Sequence, residues 1–213
     1  MGDHDKDVEP RPAILTLGPL RPSDYTLDHF IAPELSRFAT YDLPTVASEP
    51  GARVNRFIMV SIFKTAFNDP HRALLFNLCR RTEVALHEYA LGRDALSLLK
   101  DASRTTVSPY FLALRHLEAV ISNLDEGWAF VGRVLERQLF EANDDSILQR
   151  LRWIHNASKH ADEWLWKGKA PVGSTLAVWL TNEGITCQKA TISYQELGGQ
   201  LEGLASECNS ILQ

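Results

Sequence analysis

Tyr110, Leu114, Leu117, Ile121, Leu124, Trp128, Val131 and Leu135 follow one another in alternating steps of four and three. An α-helix brings every third or fourth side chain round to the same side, so this rhythm describes a helix with one buried face. The stripe lasts about seven turns, more than a surface helix of ordinary length needs. A chain carrying it has to place that helix centrally and pack its other elements around it. Ser108-Pro109 predicts where it starts, with serine as N-cap and proline fixing the backbone of the first turn.

The rest of the chain supplies partners for that stripe. From Arg53 onward Phe57, Val60, Ile62, Phe63 and Phe67 are apolar at mixed helical spacing, which predicts a helix buried over much of its surface. Asp69-Pro70 predicts a new N-cap and a helix over about 70–91, with Gly92 kinking or ending it before one or two further turns to Lys100. Asp144-Asp145-Ser146 offers N-caps for a helix over about 146–166. Pro171-Val172-Gly173 breaks the helical pattern. Residues 175–181 and 185–193 are rich in β-branched and aromatic side chains around Asn182-Glu183-Gly184, which predicts a β-hairpin over about 175–193. Two strands alone are unstable in water, so the hairpin has to lie on the helices. Ser193-Tyr194-Gln195-Glu196 reads as a capping box for a last helix with Leu197, Leu201, Leu204, Cys208, Ile211 and Leu212 on its apolar side.

Residues 1–52 differ in character. Pro10, Pro12, Pro19 and Pro22 interrupt an acidic, polar beginning, which reads as an extended arm. Residues 24–41 hold Tyr25, Leu27, Phe30, Ile31, Leu35 and Phe38 around Pro33, predicting two short helical pieces laid on the body. Pro44, Pro50 and Gly51 mark a linker. The expected fold is thus mainly all-α: a helical bundle over 53–213 with a small late β-hairpin, preceded by an N-terminal arm and short helices over 1–52.

Composition narrows the function classes. Of 213 residues, 45% are hydrophobic and 23% charged, enough apolar material for a full core. The formal net charge of -5 and a pI near 5.8 do not suit a dedicated duplex-DNA binder, though they leave room for a local basic cleft. Cys79, Cys187 and Cys208 are odd in number and widely spaced, without a Cys-x-x-Cys pair, so neither a zinc site nor a disulfide framework is expected. The N-terminus does not resemble a signal peptide, and no apolar run reaches the roughly 18 residues that span a bilayer. A soluble, cytoplasmic protein without membrane contact is the expectation.

Proton-transfer and anion-binding chemistry concentrates in Arg150-Leu-Arg-Trp-Ile-His-Asn-Ala-Ser-Lys-His160. On a helical wheel Ile147, Leu151, Ile154 and Ser158 fall within about 60° and face the core. Arg152, Asn156, Lys159 and His160 fall within about 100° on the other side, and His155 lies on the flank between. Such a strip can hold a phosphate through charge-assisted hydrogen bonds, and its imidazoles titrate near neutral pH, as general acid–base work requires. The plainer account is a solvated helix face opposite an apolar stripe. Imidazole and amide groups in place of Lys/Glu pairs favour a functional strip.

His155-Asn156-Ala157-Ser158-Lys159-His160, on a late helix of an all-α bundle, resembles the motif of the HEPN superfamily, and the helix opening Ser108-Pro109-Tyr110 is similar to one found there. The resemblance spans roughly residues 70–165. It implies a helical homodimer in which two motif helices line one RNA cleft. It also implies either a metal-independent ribonuclease of toxin or defence type, or an inactive binding relative. No cofactor and no metal is implied. Asn156 and His160 match the family's asparagine and histidine. His155 stands where its arginine is expected, and Arg152, one turn before Asn156, is placed to supply the missing guanidinium. Arg150 and His155 fit the family's bare spacing but lie about 140° apart on the wheel. Under this resemblance His160 is the proton-transfer group. Arg152 and Lys159 stabilise charge on the phosphorane, Asn156 orients the histidine or binds phosphate, and His155 and Arg150 complete the set.

Other candidates carry less chemistry. Glu83 and His87 are one turn apart and could share a metal, but an exposed, salt-linked face is the simpler expectation. His116 and Glu118 point in different directions, and His29 and His71 read as structural. Trp164, Trp166 and Trp179 are expected to seal the hairpin against the bundle; their alternative use is a dimer or partner surface, where tryptophan is enriched. Two function classes stand side by side: a HEPN-like protein that binds or cleaves RNA, and a non-catalytic module that binds another protein through the same helix and its tryptophans.

Overall fold

The computed structural model describes residues 24–37, 43–47, 49–63, 69–101, 107–171 and 174–213. The N-terminal arm over 1–22 lies outside them, as do Phe38 and Phe67. Among the described residues the fold is mainly α, with a small antiparallel sheet late in the chain. The helices are α1 (Asp24–Phe30), α2 (Ala52–Phe63), α3 (Asp69–Asp101), α4 (Ser108–Val134), α5 (Ile147–Lys159), α6 (Ala161–Trp166) and α7 (Tyr194–Ile211), with a 3-10 turn at Leu35–Arg37.

The long stripe does organise the core. Tyr110, Leu114, Leu117, Ile121, Leu124 and Val131 are buried, while Trp128 is half-buried and Leu135 is exposed beyond the helix end. α4 packs along α3, and α5 and α7 complete the layer around it. Its start falls one residue earlier than the serine suggests: Val107 takes the N-cap position without a side-chain hydrogen bond, and Ser108 and Pro109 are the first helical residues.

α3 does not end at Gly92 but continues to Asp101. A Cβ at Gly92 would lie 3.2 Å from Leu117 Cδ2. The glycine lets α3 and α4 approach, and that packing outweighs a helix-propensity penalty of about 1 kcal/mol. α2 also differs from expectation. Phe57 is buried, but Ile58, Met59 and Ile62 are exposed, so the described part of this helix buries one face only. Residues 43–47, expected as a linker, lie against the body: Leu43 is buried, and Tyr89 Oη donates to Pro44 O at 2.9 Å. The short pieces around Pro33 do pack as expected, with Leu27, Ala32 and Leu35 in the core.

The expected hairpin is a three-stranded meander of β1 (Val178–Leu180), β2 (Gly184–Cys187) and β3 (Ala190–Ser193), in the order β1-β2-β3. The segment 185–193 folds back on itself through Gln188-Lys189, pairing Cys187 with Ala190 and Ile185 with Ile192. Neither turn residue is a glycine, proline or asparagine, so no local signal marks the reversal. Ser193 Oγ accepts from Glu196 N at 3.1 Å and Glu196 Oε2 accepts from Ser193 N at 2.9 Å, the capping box that opens α7.

Candidate functional site

The stretch 150–160 is not one helix running to 166. Ser146 Oγ accepts from Gln149 N and opens α5. At His160 the backbone leaves the helical region (φ -115°, ψ 39°), and α6 restarts at Ala161. α5 presses Leu151, Ile154 and Ala157 into the core. Ser158, at the edge of that face, donates to Glu118 Oε1 on α4 at 2.8 Å.

The six candidate residues separate into four environments, with Lys159 shared between two. Arg150 points to the sheet side: its Nη1 donates to Thr191 O at 2.7 Å, and its two terminal nitrogens hold Glu196 at 2.6 and 3.2 Å. Arg150 is the first cause holding the Glu196 carboxyl below its ordinary range. On the other flank, Arg152 Nε donates to Asp125 Oδ1 of α4 at 3.2 Å, and its guanidinium carbon lies 4.8 Å from the centre of the Phe140 ring. These two side chains form part of the wall of a cleft of about 690 Å³ that Trp128, Leu139, Leu148 and Arg133 also line.

His155 and Lys159 line a separate, smaller groove of about 320 Å³ with Ser122 and Glu126 of α4 and with Ser158. His155 is half-buried, and burial is the main cause pushing its imidazole below the usual range; Asp125 and Glu126 oppose that, while Lys159 and Arg152 reinforce it. Neutral imidazole is therefore the favoured form at neutral pH. Asn156, Lys159 and His160 are exposed along the outer ridge. Arg150 and His155, the pair with the family's spacing, are thus in different environments, and the guanidinium beside His155 belongs to Arg152.

Apart from Glu118, weighed only beside His116, the partners that shape this region were not among the sequence candidates. Asp125, Glu126 and Glu118 come from the flank of α4, Phe140 from the loop before α5, and Glu196 from α7. The α4 carboxylates carry one weak signal: Glu118, Asp125 and Glu126 recur at helical spacing beside the apolar stripe. Burial is the main cause raising the Glu118 carboxyl, which Ser158 partly offsets.

Of the lesser candidates, Glu83 and His116 have partners within the chain. Glu83 accepts from the backbone N–H of Gly51 and Arg53 at 2.9 and 3.0 Å, so it caps the start of α2 instead of belonging to an exposed ion-paired face. His87 is exposed. His116 Nδ1 lies 2.6 Å from Glu88 Oε2. Among the described residues no group of three or more histidine, cysteine or acidic side chains is gathered so as to hold a metal ion, and no helix is long and apolar enough to cross a membrane. The tryptophans divide: Trp164 and Trp179 are buried, whereas Trp166 is 91% exposed.

Compared with models of protein families, with curated proteins and with solved structures, the chain finds no match. The resemblance of 155–160 to the HEPN motif stands on the motif residues alone.

Proposed function

We propose that this chain is a non-catalytic helical module that binds a protein partner over the outer surface of α5 and α6. The observation that carries this reading is the fate of the two arginines: a phosphate-binding cleft needs guanidinium groups to spare, and both are held by carboxylates of this chain. An arriving phosphate would have to displace Glu196 from one or Asp125 from the other. Trp166 supports a partner surface, because a large indole left in water is costly unless something covers it.

A second reading, RNA binding or metal-independent cleavage by a homodimer, is favoured by one observation: Asn156, Lys159 and His160 form a ridge open to solvent. In that scheme His160 transfers the proton with His155 in the catalytic set, Lys159 and Arg152 neutralise the phosphorane, and Asn156 and Arg150 bind the strand's phosphates. The two readings separate in one set of measurements. Incubated with single-stranded RNA without metal, the protein is expected to leave it intact and to show no binding that weakens with salt. Sedimentation of the wild type and Trp166→Ala then reports whether a second copy is the partner. RNA cleavage that disappears in His160→Ala would replace the first reading by the second.

A further inference from the structure

The core contains a pair of thiols with an unusual neighbour. Cys79 on α3 and Cys208 on α7 are fully buried, and their sulfurs are 3.6 Å apart across the two helices. Arg53, in the first turn of α2, is also buried, with 8% of its surface exposed. Its guanidinium has a carboxylate at ion-pair range, Glu83 at 3.6 Å, yet Nε and Nη1 have no hydrogen-bond acceptor. Buried guanidinium donors normally find acceptors, and leaving them bare is costly. Glu83 itself is engaged by the backbone N–H groups of Gly51 and Arg53.

The thiols are inequivalent. The Cys208 thiol is drawn below its ordinary value, first by its hydrogen bond with Cys79, then by the charge of Arg53 and by Thr82, against burial and Glu83. Cys79 is driven the other way by that same hydrogen bond and by burial. The surface comes close to the pair at Arg53 and at the residue after Cys208. A surface groove of about 220 Å³ is lined by Arg53, Arg56, Glu49 and Asn209, the residue after Cys208. Cys208 also sits in the last turn of α7, where fraying opens a helix most readily.

We propose that Cys79 and Cys208 are a redox-responsive dithiol that hydrogen peroxide closes into a disulfide joining α3 to α7. The Cys208 thiolate, within reach of the positive charge of Arg53, attacks one peroxide oxygen; the O–O bond breaks, hydroxide leaves, and Cys208 becomes a sulfenic acid. Cys79 gives up its proton, and its sulfur attacks the Cys208 sulfur, expelling hydroxide, which leaves as water. Two thiols lose two electrons and two protons, and one peroxide becomes two waters. The sulfurs have to converge by about 1.5 Å, a distance small side-chain rotations cover. The site is independent of the α5–α6 surface, so either proposal can fail without the other.

The test treats the reduced full-length protein with hydrogen peroxide, then unfolds it, alkylates the remaining thiols and maps the peptides. The expected product has lost two hydrogen atoms, contains a linked peptide joining Cys79 to Cys208, and carries alkyl only on Cys187. Burial is the main cause that pushes the Cys187 thiol up, so it serves as the internal control. Cys79→Ala should accumulate a Cys208 sulfenic acid that dimedone traps, whereas Cys208→Ala should leave Cys79 unlabelled. Arg53→Met should slow closure at pH 7 about tenfold, because the thiolate loses its cation. Should that variant unfold, the wild-type rate against pH gives the same information: its midpoint should lie below that of an ordinary thiol. The proposal is overturned if all three thiols remain alkylatable while free glutathione is consumed, or if Cys187 oxidises as fast as the pair. Dimedone labelling of Cys79 in preference to Cys208 also overturns it.

Discussion

His155 illustrates how one side chain's surroundings become a property of the whole protein. Its folded-state value lies below the 6.5 of a free imidazole, chiefly through burial. The unfolded chain therefore takes up the proton first as pH falls. The stability His155 contributes is present above about 6.5 and is lost below it, until the folded form also protonates. Urea unfolding midpoints should fall between about pH 7 and pH 5, and His155→Gln should flatten that slope relative to wild type. An unchanged slope in the variant would assign the pH dependence to other groups such as Glu196, whose lowered carboxyl acts with the same sign, and not to Glu118, whose raised carboxyl opposes it. The candidate residues themselves were visible in the sequence because residue type and helical spacing are local facts. Their partners were not. Asp125 lies 27 positions from Arg152 and Glu196 lies 46 from Arg150, and nothing local says which helices become neighbours.

At the scale of elements, the local signals that proved sound involve a side chain and backbone a few residues apart. Ser146 and Ser193 cap α5 and α7 because a short oxygen-bearing side chain can reach the free N–H groups of the first turn. Signals that depend on packing were misleading. Gly92 reads as a break but serves as a close-approach point, and Gln188-Lys189 turns the chain without a turn residue. Gly184 shows the same dependence on tertiary surroundings. A Cβ there would come within 2.0 Å of Ile192 O, a backbone atom of β3 that cannot move aside without opening the ladder. Gly184→Ala should destabilise the fold by about 3 kcal/mol or more in urea unfolding, a cost in the range set by severe overpacking. A loss under about 1 kcal/mol would mean that β2 and β3 can separate at little cost.

For the molecule as a whole, the sheet has to be fastened to the bundle, and Tyr110 does so from the first turn of α4. Its hydroxyl accepts from Leu180 N at 2.9 Å and also bonds Leu180 O at 3.4 Å, inside the core. Tyr110→Phe keeps the ring but leaves a strand N–H in the interior without an acceptor. Its expected cost is about 1–3 kcal/mol, with amide exchange rising first in β1. Exchange that rises uniformly would show the sheet and helices opening together.

Glu196 is the hub of a mechanical interlock. Its carboxylate accepts from the Ser193 backbone N–H and the Ser193 hydroxyl at the head of α7, and it also grips Arg150 from α5. A polyanion that captured Arg150 would leave this carboxylate without its counter-charge and loosen the clasp at the head of the final helix. Occupancy at the sheet side of α5 would then be reported in the layer where α7 closes the core.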